Sequence, residues 1–162
     1  MAKRIKQLSI LFFILVLPSL IYVFLANGVH RHESLPFLGE YSIVNGDTVQ
    51  HTIADFSFTN QFGETITQDS LFGDIIIVDF FFSTCAGICP EMSTQMMIVQ
   101  ENFRDMDDIK ILSHTVNPEY DNVDILSSYS EKYGAMKGKW HFVTGEKEQL
   151  YKMGVNSYLI PT

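Results

Sequence analysis

The side chains with the most chemistry to offer are two cysteines four residues apart, Cys85 and Cys89, in the segment Ser83-Thr84-Cys85-Ala86-Gly87-Ile88-Cys89-Pro90. They are the only cysteines in the 162 residues. The spacing predicts a helix entrance, because Pro90 suits an early helical position and Glu91 suits a first turn. The partial positive charge of a helix N-terminus favours thiolate over thiol there. Residues four apart on one helix hold their Cβ atoms about 5–6 Å apart, wider than the ~3.8 Å of a relaxed disulfide. A disulfide therefore needs local adjustment, and a soft ion such as Cu(I) or Zn between two thiolates fits at least as well. Two blander roles compete, an inert disulfide or two small buried hydrophobes. A structural disulfide gains most by joining distant segments, and this loop is tiny.

The elements that must position the pair flank it closely. Ile75 to Phe82 is a nearly unbroken β-branched and aromatic run, which predicts a central strand buried on both faces. A helix is predicted from about Glu91 to Met106. Before the strand, Tyr41 to Val44 and Thr48 to His51 surround Asn45-Gly46, a strong hairpin signal. A second hairpin is expected from Asp55 to Thr59 and Glu64 to Thr67, then a short helix near Asp69 to Phe72. Beyond the helix come a strand at Ile109 to Val116, a loop at Asn117 to Asp121 and a helix from about Asn122 to Tyr133 ended by Gly134. Lys139 to Gly145 predicts a strand and turn, Glu146 to Met153 a helix, and Val155 to Ile160 an incoming strand or loop. Strands alternating with helices after N-terminal hairpins predict an α/β fold.

The N-terminus is of another kind. A basic stub, residues 1–7 with Lys3, Arg4 and Lys6, precedes the uncharged apolar run 8–26. As a helix this run rises about 28 Å, close to the hydrocarbon thickness of a bilayer, and is longer than an ordinary signal-peptide core. It reads as a single transmembrane anchor, with Pro18 tolerated inside it. Ala26-Asn27-Gly28 is a weak cleavage candidate, and a cleaved signal is the alternative. The positive-inside rule places the stub in the cytoplasm and the rest of the chain on the extracytoplasmic, periplasmic side of the cell inner membrane. Residues 27–40 read as a linker and 41–162 as the folded domain. His30 and His32 flank Arg31 in that linker, where two histidines can touch a metal but are ordinarily solvated.

The net charge is −8, and removing the three basic residues of the stub leaves 8 basic against 19 acidic side chains. Such a surface repels phosphate backbones and argues against nucleic-acid binding. With 46% hydrophobic and 19% charged residues, the chain belongs among folded globular proteins.

Three segments together resemble the Sco/SenC family of copper-binding cytochrome c oxidase assembly proteins, which have a thioredoxin-like fold. Phe80-Phe81-Phe82-Ser83-Thr84-Cys85-Ala86-Gly87-Ile88-Cys89-Pro90 looks like the family's metal motif. Ser113-His114-Thr115-Val116-Asn117-Pro118-Glu119-Tyr120-Asp121 is similar to its strand and "VDPE" loop, and Trp140-His141-Phe142-Val143-Thr144-Gly145 to its "WHFLTG" segment. The resemblance covers roughly residues 40–160 and implies a copper ion held by Cys85, Cys89 and one distal His. It also implies a metallochaperone that delivers copper to, or reduces the cysteines of, the dinuclear copper centre of cytochrome c oxidase. The copper-bearing oxidase subunit or another copper protein would be the partner.

By that resemblance the histidine is expected beyond residue 162, before a closing hairpin, so the sequence reads as C-terminally truncated. Ala86, Gly87 and Asn117 depart from the family's Pro, Asp and Asp without removing a sulfur. His114 and His141 match segments without a ligand role, and His51 gives no signal. Met92 and Met96 extend the cysteine face at helical spacing, where thioethers are either soft ligands or core filler. The competing function is an extracytoplasmic thiol-disulfide oxidoreductase or peroxidase-like enzyme, for which Cys-x-x-Cys would be the more usual spacing.

Overall fold

The structure is a computed structural model that describes residues 2–26, 36 and 38–161. The expected linker, with His30 and His32, therefore lies almost wholly outside the described residues. The chain divides into two compact units, Met1–Leu38 and Gly39–Thr162.

The first unit contains helix α1, Ala2–Ala26, with Pro18 inside it. Its stretch Arg4–Val23 has a mean hydropathy of 1.9 and is unburied, so it is long and apolar enough to cross a membrane.

The second unit begins with the hairpin read from Asn-Gly. Strands β1 (Ser42–Val44) and β2 (Asp47–Val49) pair antiparallel, and both turn residues are left-handed, with φ of 55° at Asn45 and 90° at Gly46. That backbone matches the twist of the strands it joins. This hairpin forms its own two-stranded sheet.

The main sheet holds β3 (Ser57–Asn60), β4 (Thr65–Thr67), β5 (Ile75–Phe81), β6 (Ile109–Thr115) and β7 (Trp140–Thr144), in the order β4-β3-β7-β6-β5. A 3₁₀ turn, Asp69–Leu71, leads into β5. β5, β6 and β7 run parallel, joined by α2 (Cys89–Asn102) and α3 (Val123–Lys132), and β3 pairs antiparallel to β7. The expected α/β, thioredoxin-like organisation is thus present. Gly145, at the end of β7, is required by close approach, since a Cβ there would stand 2.7 Å from Cδ1 of Phe58.

Strand alternation divides the core between the sheet's faces. On one face, α2 and α3 cover Phe81, Ile111, Trp140 and Phe142, with Cys89, Leu126, Tyr129 and Tyr133 completing the cluster. On the other, Leu150 and Met153 from the region of α4 (Lys147–Lys152) pack with Phe58, Ile66, Leu71, Leu112 and Val143.

Three expectations are corrected. β5 is an edge strand rather than a central one. Its apolar run reflects one face packed into the core through Ile77 and Phe81 and another that lines an apolar cavity through Ile76, Val78 and Phe80. Of the segment Val155 to Ile160, expected to be an incoming strand or loop, Val155 to Ser157 instead continues α4 in a π-helical turn, Met153–Ser157, while residues 158–160 form a loop. Finally, α2 begins at Cys89 and ends at Asn102, so it starts earlier and stops sooner than its predicted bounds.

Candidate metal and redox centre

The early start of α2 changes the geometry of the cysteines. Cys85 stands in the loop between β5 and α2, and Cys89 is the first helical residue, so the pair does not share a helical face. Pro90 lies in the first turn, where a missing N–H costs nothing, and Glu91 follows it. The loop turns back on itself through a bond from Cys85 N to the carbonyl of Phe82, 3.1 Å. The result makes the two thiols neighbours whose ionisations influence one another.

The thiols differ. Cys89 is buried, 5% exposed, within the cluster of Phe81, Tyr129 and Trp140, whereas Cys85 is partly exposed. Hydrogen bonding from the Cys89 thiol lowers the pKa of Cys85, helped by the backbone N–H groups of Cys89, Gly87 and Ile88. Burial raises that of Cys89, and the bond it gives to Cys85 raises it further. Of the two, Cys85 ionises the more readily and Cys89 holds its proton the more tightly. This arrangement suits attack by Cys85 on a disulfide, and equally two sulfur ligands for a soft cation.

Three buried polar groups support the site from beneath. Asp121 accepts from Ser83 N (3.2 Å to one carboxylate oxygen, 3.4 Å to the other), from Ser83 Oγ and from Thr115 Oγ1. Asp79 accepts from Ser113 Oγ, which accepts from the Trp140 indole at 2.8 Å. Burial pushes the Asp79 carboxyl up to about 6, against the pull of that hydrogen bond. Tyr129 and Ser93 share a hydroxyl bond of 2.9 Å next to Cys89, and burial raises the pKa of the tyrosine.

Sequence reasoning did not single out Asp79 or Asp121. Asp79 carried a signal, a lone charge inside an apolar strand. Asp121 carried none, because its partners lie in other elements.

The remaining candidates sit elsewhere or play structural parts. His114 is on the opposite sheet face, stacked on Phe80 with a centroid separation of 5.2 Å. Alternation along β7 likewise puts His141 on the face away from Trp140, and Asn60 bonds its Nδ1 at 3.3 Å. His51 bonds the carbonyl of Ser157 at 2.9 Å. Met96 packs against the Cys89 cluster as core filler. Among the described residues, no group of three or more His, Cys, Asp or Glu could hold a metal ion. The two sulfurs therefore fit as a soft but partial ligand set.

This strand, loop and helix arrangement, with paired thiols at the helix start of a thioredoxin-like sheet, is that of a thiol or metal-handling domain. Residues 44–162 match the SCO1/SenC family model, and the chain belongs to that family. It is 32% identical over 100 residues to the SCO1 protein homolog of Bacillus subtilis, an alignment covering 61% of this chain and 52% of that protein. The chain thus spans about half the length of this curated relative. Among solved structures it is similar to BsSco, described as carrying a disulfide switch and as a member of the Sco family of cytochrome c oxidase assembly proteins. The TM-score is 0.63 at 28% identity, covering 72% of this chain and 69% of the other. Bradyrhizobium japonicum ScoI, solved with copper bound, shares the fold with a TM-score of 0.59 at 22% identity, covering 68% and 72% of the two chains.

Proposed function

We propose that this chain is a membrane-anchored copper-binding protein of cytochrome c oxidase assembly, with Cys85 and Cys89 as its sulfur ligands. The observation that carries the reading is two free, neighbouring thiols at the entrance to α2, in a chain of the SCO1/SenC family. Copper binding would displace the thiol protons, that of Cys89 being the more tightly held, so affinity rises with pH. A third ligand, a histidine, is proposed to come from outside residues 1–162. The copper-bearing oxidase subunit is the proposed recipient, either of the ion or of electrons that reduce its cysteines. Helix α1 is the proposed anchor, residues 27–40 the tether and 41–162 the exported domain on the periplasmic side of the inner membrane.

The test is a Cu(I) titration of the reduced chain against a chromophoric chelator. One equivalent should bind, and Cys85→Ser or Cys89→Ser should each weaken binding by more than about 100-fold, beyond the usual cost of losing a supporting group. Tight stoichiometric binding by the Cys89→Ser protein would sink the proposal. Resistance of the membrane-bound chain to alkaline extraction checks the anchor, and release into the wash would remove it.

A further inference from the structure

The Cys85 loop is fastened at two ends by different means. At its helical end, α2 begins with Cys89, and Met92 N bonds the carbonyl of Ile88 at 3.0 Å. At the strand end, Ser83 turns toward Asp121, which belongs to the loop after β6 and is fully buried. A buried carboxylate is costly unless its lone pairs are used. Asp121 uses them on Ser83 N, Ser83 Oγ and Thr115 Oγ1. Thr115 in turn accepts from Asn117 N at 3.0 Å, and Asp121 N bonds the carbonyl of Asn117 at 2.9 Å. The end of β6, its following loop and the residue two before Cys85 thus converge on one side chain.

We propose that Asp121 is the positioning residue of the Cys85/Cys89 pair, its carboxylate setting how favourably the two thiols close into a disulfide. This deepens the reading of that pair given above. Disulfide closure demands a Cβ separation of about 3.5–4.5 Å, so a loop free at Ser83 visits the bonding geometry less often. In closure against oxidised glutathione, two cysteine thiols and one glutathione disulfide become the Cys85 to Cys89 disulfide and two glutathione thiols. Both sulfurs lose an electron to the glutathione pair, and their protons pass to the departing thiolates. Asp121 touches neither sulfur in this account and acts only through Ser83.

The experiment equilibrates the metal-free full chain in glutathione buffers and counts free thiols by alkylation and mass. Asp121→Asn keeps the shape but gives up one accepting oxygen and the charge. It should lower the closure constant about tenfold, ~30 mV for this two-electron couple. Ser83→Ala, which keeps the backbone N–H and a charged Asp121, should lower it about threefold if loop positioning sets the constant. Ser83→Thr restores the hydroxyl and should return the wild-type value. Asn60→Ala, which removes bonds in the β3–β4 turn, supplies a destabilised control that leaves the constant unchanged. Wild-type constants in both Asp121→Asn and Ser83→Ala would overturn the proposal, as would an equal shift in Asn60→Ala. Should Asp121→Asn fail to fold, the Ser83 pair decides alone. Copper plays no part, so a failed copper titration leaves this result standing and an unshifted constant leaves the copper reading standing.

Discussion

The two faces of the main sheet are built from the same strands and treat polar groups in opposite ways. On the face under α2 and α3, hydrogen bonds join Asp79, Ser113 and Trp140 in one set and Thr115, Asp121 and Ser83 in another, and the second leads to the cysteine loop. On the other face, His114 is fully buried among Phe80, Phe58 and Tyr158. Its Nε2 meets the Tyr158 hydroxyl at 3.3 Å, and its Nδ1 has no hydrogen-bond partner among the described residues. That face also opens into an apolar cavity of about 590 Å³ lined by Ile76, Val78 and Phe80. One face spends its polar residues on fixing a loop, while the other keeps a histidine neutral among aromatics.

Adjacent phenylalanines on β5 give the largest contrast. Phe81, 1% exposed and in contact with Tyr129 and Phe142, should cost ~3–5 kcal/mol when replaced by Ala. Phe80→Ala, at the open cavity, should cost less than half as much. Urea unfolding of the two variants measures both, and equal losses would erase the distinction between the faces.

The buried titratable groups sharpen the comparison through pH. Asp79 is raised from 3.8 to about 6 by burial, so the folded chain holds its proton more tightly than the unfolded one. Its contribution is fully present below pH 4 and is lost as pH rises through 6, about 3 kcal/mol in all. Burial lowers His114 from 6.5 to about 4, which reverses the sign. Protonation of the unfolded state then costs stability at low pH, and a similar amount returns between pH 4 and 6.5. The two slopes oppose each other in the native chain. Asp79→Asn should leave a stability that climbs with pH across this window, and His114→Phe one that falls. Parallel pH profiles for native chain and variants would refute the assignment.

A smaller effect separates the two sulfurs themselves. With Cys85 accessible and lowered while Cys89 is buried and raised, iodoacetamide at neutral pH should modify Cys85 at least ~10-fold faster. Peptide mapping after brief alkylation reads the ratio, and comparable rates would undo the proposed division of roles.

Much of this was legible because it is local. The Asn45-Gly46 hairpin, the alternation of strands and helices and the cysteine motif announce themselves within a few residues. Strand order does not. The run Ile75 to Phe82 reports that both faces of β5 are apolar, but it carries no information on whether both edges are paired, and among the described residues only one is. The start of α2 was misplaced because Pro90 marks the first turn without saying which residue opens it. The helical spacing was nevertheless applied to Cys85, which the loop holds outside the helix. Asp121 stayed hidden since its meaning lies in Ser83, which is remote in sequence and arrives through the fold.

The pairing of β3 with β7 bears on the order in which the chain can fold. β3 bonds to the last strand of the sheet, with Thr59 opposite Thr144. The unit β5-α2-β6 can assemble from neighbouring sequence, but β3 and β4 have no sheet to join until Trp140–Thr144 has emerged during synthesis. Until then the edge of β3 remains open, and such late, long-range closure slows folding and invites mispairing. Strands β3 and β4 are made first and secured last.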